Sequence, residues 1–146
     1  MAEFFAARLR GRNEVPPVDS DAFGVAKFAA DRRGTRLKFL LKVENIENFI
    51  QAHIHFGAPD ENGPVLAFLF GADLDTLAEQ EGITTRRGVV TGTITDDDIV
   101  ANNVGVRNVS DLLDLMREGL TYVNAHTEQN LGGEIRGQIF PLVDRR

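Results

Sequence analysis

The chain has 146 residues, 42% of them hydrophobic and 26% charged, with a formal net charge of −6. This composition suits one soluble globular domain, spanning 1–146, with enough chain to bury a sizeable core. The negative balance disfavours unassisted binding to nucleic acid or an anionic membrane, and the lack of cysteine excludes disulfides, thiolate metal sites and cysteine nucleophiles.

In chain order, "EFFAARLRG" (3–11) alternates as a first strand. "NEVPPV" follows, and its two prolines make it an edge or loop device. "AFGVAKFAA" (22–30) and "TRLKFLLKV" (35–43) flank the turn "DRRG" as a β-hairpin. In the second arm Leu37, Phe39, Leu41 and Val43 face the core, with Lys38 and Lys42 on a solvated face. "FIQAHIHF" (49–56) reads as a separate strand, "GAPDENGP" as a turn-rich loop, and "VLAFLF" (65–70) as a short strand buried on both faces. Residues 71–87 form a long connection with a helical turn in "DLDTLAEQ", and "GVVTGTI" (88–94) is a β-branched strand.

"TDDDI" (95–99) reads as a short capped turn, the acidic run suiting a helix start better than a calcium loop. "SDLLDLMREG" (110–119) is the convincing helix, with Ser110 as N-cap and Gly119 closing it. "LTYVNAHT" (120–127) and "GEIRGQIF" (133–140) return to strands, with Gly132 and Gly133 supplying a tight turn. The expected fold is all-β: a Greek-key sandwich or barrel of about eight strands with one short helix near 110–118.

The chemistry concentrates in three histidines. In a strand, alternate side chains share a face, so His53 and His55 point the same way, with Gln51 beside them, while Ala52, Ile54 and Phe56 take the core side. His126, the remaining histidine, shares its face with Tyr122 and Asn124. If the two strands are neighbours, three imidazoles meet at one site suited to copper, as Cu(I) or Cu(II), or to zinc. Glu134, Arg136 and Gln138 alternate with Ile135, Gly137 and Ile139. That polar face reads as a solvated strand face with a cross-strand ion pair, or as a row of partners that orient the imidazoles. Tyr122 reads as a hydrogen-bonding anchor. The short basic pairs Arg32-Arg33, Arg86-Arg87 and Arg145-Arg146 read as solvated loops and a tail. No apolar run approaches the roughly 18 residues that span a bilayer. The start "MAEFFAARLRG" is too short and too alternating for a signal-peptide core, which leaves open a cytoplasmic protein and one whose leader is removed.

"FAARLRGRNEVPPVDSDAFGVAKF", "AHIHFGAPDENGPVLAFL" and "YVNAHTEQNLGGEIRGQI" together resemble the motifs of the CHRD domain, over about residues 4 to 140. The resemblance implies an exported protein and a fold similar to Cu/Zn superoxide dismutase, in which a His-x-His strand and a later histidine ligate copper. By that likeness His53, His55 and His126 match the copper ligands. With three histidines in all, the chain lacks the dismutase's fourth copper histidine and its zinc ligands, so a mononuclear site is implied at most. The expected function is copper binding or handling at a mononuclear site; the alternatives are a copper-only dismutase-like redox enzyme and a protein-binding or adhesion module with structural histidines. A protein partner or self-association is left open.

Overall fold

The computed structural model describes residues 3–71 and 83–142; the helical turn expected in "DLDTLAEQ" lies outside them. Among the described residues eight strands form one sheet system: β1 (Glu3–Arg10), β2 (Phe23–Ala30), β3 (Arg36–Phe56), β4 (Val65–Phe70), β5 (Ile83–Thr95), β6 (Thr121–Thr127), β7 (Ile135–Gln138) and β8 (Phe140–Pro141). Helix α1 (Val109–Arg117) precedes β6. Strand order runs β2-β1-β7-β6-β3-β4, and β2 also pairs with β3. That last pairing closes β2, β1, β7, β6 and β3 into a five-stranded barrel, with β4 and β5 added along β3. The fold is all-β, as the alternation predicts.

The barrel closes because β3 is long enough to serve two neighbourhoods. Where the sequence predicts separate strands at 35–43 and 49–56, the chain runs as one strand of 21 residues. Its first half pairs with β2 and β5, and its second half with β6 and β4. Between them Asn45 (φ 53) and Asn48 (φ 57) enter the left-handed region. Asparagine tolerates that region better than most side chains, so "ENIEN" bends the strand without ending it. The register with β5 shifts between Ile46 and Phe49. β5 also starts before the predicted residue 88. Ile83 and Thr85 pair with Phe49 and Ile46, so the β-branched "ITT" continues the ladder past the bend.

The core gathers the inward residues of every barrel strand, among them Phe5, Leu9, Phe28, Leu37, Leu41, Ile54, Val123 and Ile135, capped by Leu112, Leu113 and Met116 of α1. Two local expectations are corrected. Asn108, not Ser110, caps α1: its side chain accepts from the Asp111 N–H at 2.8 Å, which places Ser110 inside the first turn. β4 is not buried on both faces, because Phe68 stands 37% exposed. The capped turn at Asp96–Asp98 forms as predicted, with Thr95 and Asp98 making a reciprocal capping box.

β7 crosses close over β1, and a methyl group on Gly137 would overlap the Arg8 carbonyl. Gly137→Ala is therefore expected to destabilise the protein by at least about 1–3 kcal/mol, the range for overpacking. The measurement is urea unfolding, where the midpoint should fall at unchanged slope.

Candidate metal centre

The site lies on the outer face of the wall formed by β7, β6, β3 and β4. Antiparallel register sets it up: across β3 and β6, Gln51 faces His126, His53 faces Asn124 and His55 faces Tyr122. Directly opposed and diagonal side chains on one face are within reach of each other. Ligand atoms of His53, His55 and His126 accordingly lie within 4.8 Å of one another, and all three residues are buried. The ring of His53 sits 5.3 Å from that of His55 and 4.8 Å from that of His126. On the β4 side Phe68 packs edge-on against His53 at 4.7 Å.

The loops above the wall set the protonation of each ring. His55 Nδ1 lies 2.9 Å from the Gly63 carbonyl, and His126 Nδ1 lies 2.7 Å from the Leu131 carbonyl. A carbonyl only accepts, so each Nδ1 carries the proton and each Nε2 presents a lone pair. His55 Nε2 is buried with no hydrogen-bond partner among the described residues, a costly state for a polar atom unless something fills it. His126 Nε2 meets His53 Nδ1 at 3.2 Å. Imidazoles whose far nitrogens are fixed by carbonyls are the arrangement metal-binding histidines use. The donor set fits a transition-metal ion.

Electrostatics points the same way. Burial is the main force lowering all three histidines: His53 is pushed down to about 3, with His126 and His55 adding to the effect. His55 falls to about 4 despite its hydrogen bond to Gly63, and His126 also falls. The rings are neutral at pH 7, the form that binds metal.

The remaining predicted residues divide. Gln51 is buried on the histidine face. Tyr122 accepts from the Gly63 N–H at 3.1 Å and stacks on His55 with the rings parallel, 4.8 Å apart. Asn124 Oδ1 lies 2.9 Å from His126 Nε2. The solvated face expected at Glu134, Arg136 and Gln138 is instead a brace, with Glu134 and Arg136 buried and Gln138 half-buried. Arg136 is 1% exposed. It donates to the Ala58 and Glu61 carbonyls and to Asn62 Oδ1, and its guanidinium lies 3.5 Å over the Tyr122 ring. It thus holds loop 57–64, which carries the Gly63 carbonyl to His55. Glu134 accepts from Ser20, Thr127, Gln129 and Asn130. Burial raises its pKa, but those hydrogen bonds outweigh burial and hold the carboxyl low. Glu134 in this way fixes the 127–133 connection that brings Leu131 to His126. This connection is longer than the tight turn predicted at Gly132 and Gly133; within it the Gly133 N–H closes a turn onto the Asn130 carbonyl.

Glu14 is the residue sequence reasoning misses. It lies in the "NEVPP" loop, yet it is 4% exposed and sits beside Asn124 and Arg136. Burial pushes its carboxyl up to about 7, opposed by the Arg136 charge and the neighbouring Asn124 amide. A lone acid in a proline-rich loop has no periodicity to announce its burial; its place in the family-like segment is the only available signal.

These shifts predict how the metal-free protein responds to acid. Each histidine is lower when folded than its usual 6.5, so below 6.5 the unfolded chain takes up protons that the folded one refuses. Stability is full above 6.5 and falls as pH drops toward 3–4. Glu14 has the opposite sign: its contribution is present below 4.5 and fades toward 7, offsetting one histidine over the overlap. Urea unfolding at pH 5 should show roughly 2–4 kcal/mol less stability than at pH 7, at about 1.4 kcal/mol per pKa unit. Equal stability at the two pH values would contradict the buried neutral cluster.

The model of the CHRD domain family matches residues 5–139. Comparison with curated proteins finds none that matches. Among the described residues, no helix is long and apolar enough to cross a membrane.

Proposed function

The chain belongs to the CHRD domain family, and from that premise we propose that it binds one metal ion through His53, His55 and His126. Copper is the proposed ion, because imidazole donors suit copper and zinc and the intrinsic affinity order places Cu(II) above Zn(II). The observation that carries the reading is the outward anchoring of two rings: the Gly63 and Leu131 carbonyls accept from Nδ1–H, and the buried His55 Nε2 has no partner among the described residues. The role proposed is copper binding or handling in an exported protein. Burial of all three histidines under loops and Phe68 supports holding an ion over exposing it to a substrate. The bound ion would supply a Lewis-acidic, redox-capable centre.

Equilibrium dialysis of metal-free protein against copper and against zinc tests this. The expected result is one ion per chain, with copper held more tightly. At free metal one hundred times the dissociation constant, the folded state should gain about 2.7 kcal/mol. A chain that takes up neither ion and melts unchanged is a module with structural histidines. A copper-loaded protein that consumes superoxide catalytically would move the role from handling to redox catalysis.

A further inference from the structure

Three nitrogen donors leave an ion of this kind one position short of the usual four, and the wall supplies another atom. Because the Leu131 carbonyl accepts from His126 Nδ1–H, His126 Nε2 bears a lone pair, yet Asn124 Oδ1 faces it at 2.9 Å. Two acceptors meet there in a buried place. The opposite orientation of the amide is disfavoured. Its nitrogen lies on the Gly133 side, where Asn124 Nδ2 and Glu14 Oε2 crowd the position a side chain at 133 would need. Glu14 Oε2 is buried there with no hydrogen-bond partner among the described residues, so the amide keeps its N–H toward that acceptor and its oxygen toward the histidines. A cation resolves the contact, because it attracts both atoms. Ligands held at about 2.0–2.2 Å around one ion lie about 2.8–3.1 Å apart at right angles and about 3.3–3.6 Å apart at tetrahedral angles, a span that brackets the 2.9 Å and 3.2 Å separations of Asn124 Oδ1 and His53 Nδ1 from His126 Nε2.

We propose that the side-chain oxygen of Asn124 is the fourth donor of the histidine site. This assignment rests on the metal-binding reading above. It makes the site three nitrogens and one neutral oxygen.

The test compares Cu(II)-loaded wild type, Asn124→Ala and Asn124→Asp by EPR and by affinity. With Asn124 as ligand, Asn124→Ala still takes one Cu(II) on histidine nitrogens, but binds at least about tenfold more weakly, since even residues outside the ligand set cost about 10–100-fold. Its g and copper hyperfine values change. Asn124→Asp keeps the shape and supplies a charged oxygen, so it binds at least as tightly as wild type with a shifted hyperfine value. It also decides the matter if the alanine variant does not fold. Spectra of both variants that match wild type, with nitrogen coupling in all three, overturn the oxygen assignment and leave the three histidines standing. Wild type without nitrogen coupling overturns the histidine site itself.

Discussion

Replacing His126 by alanine is expected to remove most of the stabilisation that copper or zinc gives the protein. At free metal one thousand times the dissociation constant, the native state gains about 4.1 kcal/mol; a hundredfold loss of affinity cuts that to about 1.4 kcal/mol. The loss should exceed this, because His126 is central to the cluster. Its Nε2 contacts both His53 Nδ1 and Asn124 Oδ1, and its Nδ1 is tied to Leu131. His53→Ala and His55→Ala should behave alike, since ligand atoms of all three lie within 4.8 Å of one another. The measurement is thermal unfolding with and without metal, each variant compared with its own metal-free form so that lost packing cancels. A variant that keeps the full metal-dependent gain would show that the ion sits elsewhere.

Arg136→Ala is expected to destabilise the metal-free protein by about 3–5 kcal/mol, combining a large buried truncation with stranded acceptors. The side chain is 1% exposed. Its removal leaves the Ala58 and Glu61 carbonyls and Asn62 Oδ1 without their donor and uncovers the Tyr122 ring. Lysine should not rescue it, because an ammonium cannot reproduce the planar fork of donors. Metal affinity should fall as well: loop 57–64 carries the Gly63 groups that hold His55 Nδ1 and Tyr122. Urea unfolding reads the first effect and metal titration the second. A loss below about 1 kcal/mol would mean that the loop is held by other contacts.

The site was legible where it depends on alternation. Gln51, His53 and His55 on one face, with Ala52 and Ile54 on the other, follows from period two; Ala52 and Ile54 are fully buried in the core. The same rule aligned Tyr122, Asn124 and His126. What alternation cannot show is what covers a face. Glu134 and Arg136 alternate as a solvated strand would, and only the loops folded over them make them buried. Glu14 has no pattern at all. The bend in β3 was hidden for a related reason: the break at "ENIEN" looks like a strand end, because two left-handed asparagines interrupt the pattern while the ladder continues. The family likeness added what spacing could not, that the His-x-His strand and the later histidine strand belong together; the structure places β3 and β6 side by side.

The most direct test of the central claim is the EPR spectrum of metal-free protein loaded with one equivalent of Cu(II), taken for the native chain and for His126→Ala. Three buried histidines holding one ion predict a single copper species with hyperfine coupling to imidazole nitrogens, and its loss or replacement in the variant. Copper that shows no nitrogen coupling, or an identical spectrum without His126, would contradict it.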